Sequence, residues 1–306
     1  MLQAGRIQQE IADVLGRCKS VISREIRRNR DLRSGEYKAE LAESKYRKRL
    51  AEKPKKLVFT EDMKQMIRQK LSEKLSPEQI VGWCKNQQIA CVSVEWIYQY
   101  IWQDKKRKGK LFKDLRHNGK RYRKRGDKKD SRGTLAGRVS IEERPEIVEL
   151  KERFGDLEID TVIGKKGKAV LLTINDRATG MLRMKKVSSR KAEPVKQATL
   201  ELLQDWKPWL HTITADNGKE FALHQAIKKD LEVGFYFANP YHSWERGANE
   251  NLNGLVRQYV RKGTCIDSLT DDFIRSVQNE LNERPRKRFN FMTPNQMFNL
   301  KVALVT

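Results

Sequence analysis

Acidic residues are scarce relative to basic ones. The 306-residue chain sets 40 Asp and Glu against 64 Lys and Arg, a formal net charge of +24, and its pI is near 9.9. A field of that sign and size selects a polyanionic partner. Cysteine and histidine are also sparse, at four each. Cys18, Cys84, Cys91 and Cys265 lie scattered with no C-x-x-C pair, which argues against both a disulfide framework and a zinc site and fits a reducing cytoplasm. No apolar run approaches the roughly 20 residues of a membrane-spanning helix. The first residues do not form a signal-peptide pattern. An anionic membrane surface is therefore a weaker candidate than nucleic acid, since the basic segments do not resemble lipid anchors. The length allows two or three domains, each with a core of its own.

The positive charge is uneven: residues 1–150 hold 38 Lys and Arg against 21 acids, and the remainder 26 against 19. The N-terminal half is the main electrostatic footprint. Ile7, Ile11, Ala12 and Leu15 share one helical side, Gly16-Arg17-Cys18 interrupts, and KSVISREIRRN restarts with Ile22 and Ile26 one turn apart. Helix, glycine turn and second helix with a basic outer face form the helix-turn-helix plan, the second helix entering the major groove. Lys19, Ser20, Ser23, Arg24 and Arg27 are the outward candidates for base edges and phosphates. The three-helix form of the motif calls for a helix ahead of Ile7, where only six residues precede it. This first DNA-binding region covers residues 1–50, and a polar stretch, Arg30 to Lys56, reads as a helical extension or linker.

Residues 57–104 read as a second helix-turn-helix. Ser76-Pro77-Glu78-Gln79 carries the N-cap, first-turn proline and capping-box spacing of a helix start. Ile80, Val81 and Trp83 turn inward, and Val94, Ile97, Tyr98 and Ile101 stripe the next helix. At helical spacing, Trp83, Trp96, Tyr98 and Trp102 are core residues ahead of base-stacking ones. Residues 105–149 form a basic linker. Its tract from Lys105 to Lys129 is either a phosphate-binding segment or a solubilising spacer.

Residues 150–306 carry the candidate chemistry. FGDLEIDTVI alternates as a strand, Ala169 to Ile174 is a second, and Met181 to Val187 returns as a third. A helix over Ala192 to Leu203, a strand at Thr212 to Ala215, a strand at Val233 to Ala238 and a helix within Pro240 to Arg261 follow. This order predicts an α/β domain with a mixed sheet. Asp160 lies within the first strand, Asp216 ends the fourth, and Glu250 sits on the later helix opposite the stripe of Leu252, Leu255, Val256 and Tyr259. Three carboxylates without His or Cys are hard oxygen ligands suited to Mg²⁺ or Mn²⁺. Two such ions about 4 Å apart serve phosphoryl transfer when substrate is bound. Asp156, Glu158, Asp176 and Glu245 are equally acidic, and Glu158 is the strongest rival because it shares a strand face with Asp160.

KSVISREIRRN, LSPEQIVGW, ERFGDLEIDTVIGKKGKAVLLTINDRATG, HTITADNGKEF, PYHSWERGANENLNGLVRQYVRKGT and LNERPRKRFNFMTP together span nearly the whole chain. They resemble the IS-thirty family of bacterial insertion-sequence transposases, within the retroviral-integrase superfamily with an RNase H-like core. The resemblance implies a DDE transposase whose acidic triad is Asp160, Asp216 and Glu250, both catalytic and metal-binding, with the expected basic residue on Arg257. It implies binding of terminal inverted repeats, nicking at the element ends and strand transfer to target DNA. Joining two ends implies at least two protomers, hence a homo-oligomer. Arg257 and Lys262 would touch phosphates. Asn217, Asn249 and Asn253 either orient carboxylates or cap turns. Trp244 either stacks on a base or packs as core or lid, and His242 as a general base is a minor alternative. Leu157 stands where relatives usually carry tryptophan, and Arg261 replaces a common proline, which would let its helix run on. The competing readings are a non-catalytic DNA-binding regulator derived from a transposase, and an RNase H-like nuclease acting on RNA–DNA hybrids.

Overall fold

The computed structural model describes residues 1–52, 59–116, 135–165, 168–239 and 242–303. Most of the basic tract, and Pro240-Tyr241, lie outside the described residues. The chain divides into two compact units, Met1–Val58 and Phe59–Thr306.

In the first unit a short 3-10 turn, Leu2–Ala4, precedes α1 (Gln8–Val14), α2 (Lys19–Asn29) and α3 (Ala39–Glu52). Gly16 takes a left-handed φ of 59° between α1 and α2, where a side chain would be strained. Ile11, Ala12 and Ile22 form the core, with Leu2 and Ile26 packed against it. The segment expected as a helical extension or linker is helical over α3, which packs back on the unit. Its attachment is polar: Arg49 Nη2 donates to Oδ1 of the buried Asn29 (2.7 Å), and Lys45 Nζ donates to the Arg30 carbonyl (2.7 Å). The third helix of this unit thus follows the helix-turn-helix.

The second unit opens with α4 (Glu61–Ser72), α5 (Pro77–Asn86) and α6 (Val94–Lys106). Ser76 and Gln79 make the expected capping box at α5. Ile67, Leu71, Leu75, Ile80, Cys84, Val92, Ile97 and Ile101 are the bundle core. The tryptophans of α6 depart from expectation: Trp96 is 55% and Trp102 38% exposed. From α6 it is Ile97 and Ile101 that enter this core, and both indoles remain outside.

After α7 (Ile147–Leu150) come β1 (Asp156–Ile163), β2 (Val170–Asp176), β3 (Leu182–Val187), α8 (Ala192–Leu203), β4 (Thr212–Ala215), α9 (His224–Leu231), β5 (Gly234–Phe237), α10 (Gly247–Tyr259), α11 (Asp271–Asn282) and α12 (Pro294–Ala303). The five strands make one sheet in the order β3-β2-β1-β4-β5. β1 is antiparallel to β2 and parallel to β4, and β4 is parallel to β5. This is the mixed five-stranded, RNase H-like sheet expected from the sequence. One face is covered by a core joining Leu157, Ile159, Leu172 and Ile174 to Val195, Trp206, Phe221 and Ile227. The other joins Val162 and Leu171 to Leu252, Leu255 and Val256 of α10 and Ile274, Val277 and Leu281 of α11. Because both faces are covered, the alternating strand β1 is buried on both sides over its first four residues.

α10 stops at Tyr259, so Arg261 does not lengthen it. Val260 leaves helical geometry (φ −102°, ψ 85°) and is buried at 1% exposure. Its burial turns the chain before Arg261 is reached.

The bundle of α4–α6 is tied to the sheet domain by buried polar contacts. Arg284, 3% exposed, donates to Gln79 Oε1 (3.1 Å), to Gln258 Oε1 (2.6 Å) and to the Lys74 carbonyl. Gln79 Nε2 in turn donates to the Pro285 carbonyl (2.7 Å). Among the described residues no helix is long and apolar enough to cross a membrane.

Candidate active site

The strand register carries the two aspartates to one place. Parallel pairing sets Asp156 opposite Thr212 and Glu158 opposite Thr214. Two residues further on, Asp160 comes level with Asp216. A single guanidinium meets both: Arg246 Nη2 lies 3.4 Å from Asp160 Oδ2, and its Nη1 lies 3.9 Å from Asp216 Oδ2. The side chains are only partly covered, 25% exposed for Asp160 and 32% for Asp216, against 11% for Arg246.

Asp160 is held by neutral donors. The Thr161 N–H donates to Oδ1 (2.8 Å) and Asn253 Nδ2 to Oδ2 (2.8 Å). Thr173, its cross-strand partner, donates to Asn253 Oδ1 (3.2 Å), which fixes the amide's orientation. Burial raises the Asp160 carboxyl above its ordinary range, and the Asp216 and Glu220 charges push the same way. Arg246 and the Thr161 N–H oppose that rise. Asp216 Oδ1 accepts from the Gly218 N–H (3.0 Å), and Asn217 Nδ2 donates to the Ala238 carbonyl (2.7 Å), closing the turn after β4.

Glu250 lies in the first turn of α10 and is exposed. Three residues later Asn253 reaches Asp160, and two turns after Glu250 Arg257 Nη2 donates to the Ile163 carbonyl (2.8 Å). α10 thus docks along β1 through Asn249, Asn253 and Arg257, while Glu250 itself stays exposed. Among the described residues no group of three or more His, Cys, Asp or Glu lies close enough together to hold a metal ion. The structure therefore brings Asp160 and Asp216 together at Arg246 and does not gather Glu250 into a cluster with them. The two donors brought together are carboxylates, the ligand type a hard divalent cation takes, and Arg246 already lies against both of them.

The rival acid Glu158 has other commitments. It is 1% exposed, accepts from Arg177 Nη1 (2.6 Å) and takes the Asn249 N–H on Oε2 (2.9 Å). No side chain of the N-cap residue Arg246 caps α10. A carboxylate from β1 supplies that cap across the sheet, where the helix dipole favours negative charge. The Asn249 amide itself is buried with no protein partner on Oδ1 or Nδ2. His242 Nδ1 lies 2.9 Å from Glu245 Oε1. Trp244 lies on the 3-10 turn Ser243–Arg246, and its side chain is outside the described set.

The remaining sequence candidates lie elsewhere. Lys19, Ser20, Ser23, Arg24 and Arg27 are all exposed on α2, and Lys262 is exposed after α10. Arg257 is half-buried, with Nη1 unpaired. Arg246 was not among the sequence candidates. Its only local signal was a position directly ahead of the helix bearing Glu250.

The sheet order and its mixed strand directions define an RNase H-like core. No family model matches the chain. It is 53% identical over 298 residues to the transposase for insertion sequence element IS4351 of Bacteroides fragilis, covering 97% of this chain and 91% of that one. It is 32% identical over 307 residues to the transposase InsI for insertion sequence element IS30A of Escherichia coli K12, covering 96% and 79%. The catalytic core domain of BIV integrase aligns with 49% of the chain and 97% of its own at 17% identity, with a TM-score of 0.40. The chain belongs to the IS-thirty family of insertion-sequence transposases.

Proposed function

We propose that this chain is a DDE transposase that binds the terminal inverted repeats of its own element, nicks DNA at the ends and joins the freed 3′ hydroxyl to target DNA. The observation that carries this reading is the approach of Asp160, within β1, and Asp216, directly after the adjacent parallel strand β4, to one guanidinium, with α10 bonded to Asp160 through Asn253. Asp160, Asp216 and Glu250 would hold Mg²⁺ or Mn²⁺, two ions per site with substrate bound. Such ions activate an attacking oxygen and stabilise the leaving one. Asn253 and the Thr161 N–H keep Asp160 aimed, while Arg257 and Lys262 contact phosphates. α2 presents Lys19, Ser20, Ser23, Arg24 and Arg27 to the major groove, with the α4–α6 bundle as a second DNA-reading unit. The partners are element-end and target DNA, with at least two protomers in the joined complex.

The test is a Mg²⁺-dependent cleavage and joining assay on labelled DNA carrying the element's ends. Asp160→Asn, Asp216→Asn and Glu250→Gln are expected to bind ends without cutting. End binding with no cleavage by the wild type in Mg²⁺ or Mn²⁺ would instead support the non-catalytic regulator. Cleavage without preference for the ends would support the nuclease.

A further inference from the structure

Arg246 has an unusual set of partners. Its one strong bond goes to backbone: Nη2 donates to the Ile159 carbonyl at 2.7 Å. The same nitrogen lies 3.4 Å from Asp160 and Nη1 lies 3.9 Å from Asp216, distances of charge attraction beyond a good hydrogen bond. Its Nε is buried without a partner. A guanidinium used for bidentate clamping would meet a carboxylate in parallel, at about 2.7–2.9 Å. This one is anchored by the strand backbone and aimed between two carboxylates, neither of which it saturates. The specific bonds to Asp160 come from Thr161 and Asn253. Asp216 is bonded by the Gly218 N–H.

We infer that Arg246 is the resident counter-ion of the Asp160–Asp216 pair, holding the pair together in the metal-free protein and weakening its grip on a divalent cation until DNA supplies negative charge. This rests on the metal-dependent reading of the site proposed above. A divalent ion added at the pair must enter beside the positive charge of Arg246, which is anchored to Ile159 and need not leave. A phosphodiester entering the site offsets that positive charge, so metal and DNA binding assist one another, and by linkage each tightens the other to the same extent. Arg246 is thus a positioning residue for the acids and a brake on metal loading without substrate.

The test is calorimetric titration of Mg²⁺ into the DNA-free full chain, beside thermal melting in EDTA. Arg246→Gln is expected to bind Mg²⁺ on the order of tenfold more tightly than wild type, about 1.4 kcal/mol. It should melt lower in EDTA and recover part of that loss when Asp160→Asn is added, because the repulsion it exposes is then removed. Unchanged or weakened Mg²⁺ binding by Arg246→Gln overturns the inference, as does a melting loss that Asp160→Asn does not relieve. Should Arg246→Gln not fold, Arg246→Lys keeps the charge, and its Mg²⁺ affinity is expected to match wild type. A tenfold change there would refute a charge-based role. A wild type that neither binds Mg²⁺ nor cleaves would overturn the metal-dependent function itself. A wild type that does both, beside an Arg246→Gln of unaltered affinity, would overturn the counter-ion role alone.

Discussion

Glu158→Gln separates a structural acid from a catalytic one. Glu158 and Arg177 are 1% and 2% exposed, and their 2.6 Å bond is an ion pair closed off from water. Removing the charge from one partner of such a pair typically costs about 3–5 kcal/mol, because the other is left buried and uncompensated. Arg177 retains a second partner in Glu149 (3.0 Å), whose side chain is 62% exposed. The glutamine also keeps an acceptor for the Asn249 N–H. Both points place the expected loss at the lower end, about 3 kcal/mol. For a domain of roughly 150–250 residues that lowers the melting temperature by about 6–12 °C. The assay is thermal or urea unfolding of the full chain in EDTA, beside DNA cleavage measured well below the lowered transition. Unfolding should shift while cleavage per folded molecule persists. Arg177→Met added to Glu158→Gln should recover part of the loss. Unaltered stability with abolished cleavage would refute the reasoning and make Glu158 a ligand.

Other expectations follow from single features. At Gly155 φ is +93°, and a Cβ would come within 1.8 Å of the Trp209 carbonyl. Gly155→Ala should therefore cost more than about 2 kcal/mol, read from urea midpoints at constant m. Burial lifts Asp176 to about 6 from 3.8, against opposing bonds from Thr179 and the Gly155 N–H. The folded state then holds a proton that the unfolded state has lost between about pH 4 and 6, so stability falls as pH rises through that window, by about 3 kcal/mol. Asp176→Asn should flatten that slope in a pH series of melts. On α2, Arg24→Ala and Arg27→Ala should each reduce the log–log salt slope of duplex binding by about 0.9 if they meet phosphates. An unchanged slope would remove them from the interface.

Much of the fold could be read from local pattern. α2, α8 and β4 begin and end where local pattern placed them. β2 runs on through Asn175 and Asp176, residues that read as a turn. Both are buried there, and Asn175 pairs with Leu182 across the strands. The approach of Asp160 to Asp216 required that β1 and β4 be parallel neighbours in the register that sets Glu158 opposite Thr214. Partnerships made at a distance were not legible. Nothing near Glu158 announces that Arg177 will reach it, and nothing near Arg246 announces two aspartates from separate strands. The exposed Trp96 and Trp102 have the same origin. Helical spacing identifies a face, but how much of that face a small bundle can cover depends on its other members.

The contacts of Arg284 lock the second helical bundle to the sheet domain. Gln79, Lys74 and Gln258 share one buried guanidinium, so α5 cannot turn relative to α10 without stranding that charge. Duplex gripped by α4–α6 would therefore be held at a set span from Asp160, and the phosphate presented for cutting would lie a constant number of base pairs from the bound sequence. Loosening the joint with Arg284→Ala would then blur the position of the nick before it abolished the nick, a change visible as a ladder of neighbouring products on a sequencing gel.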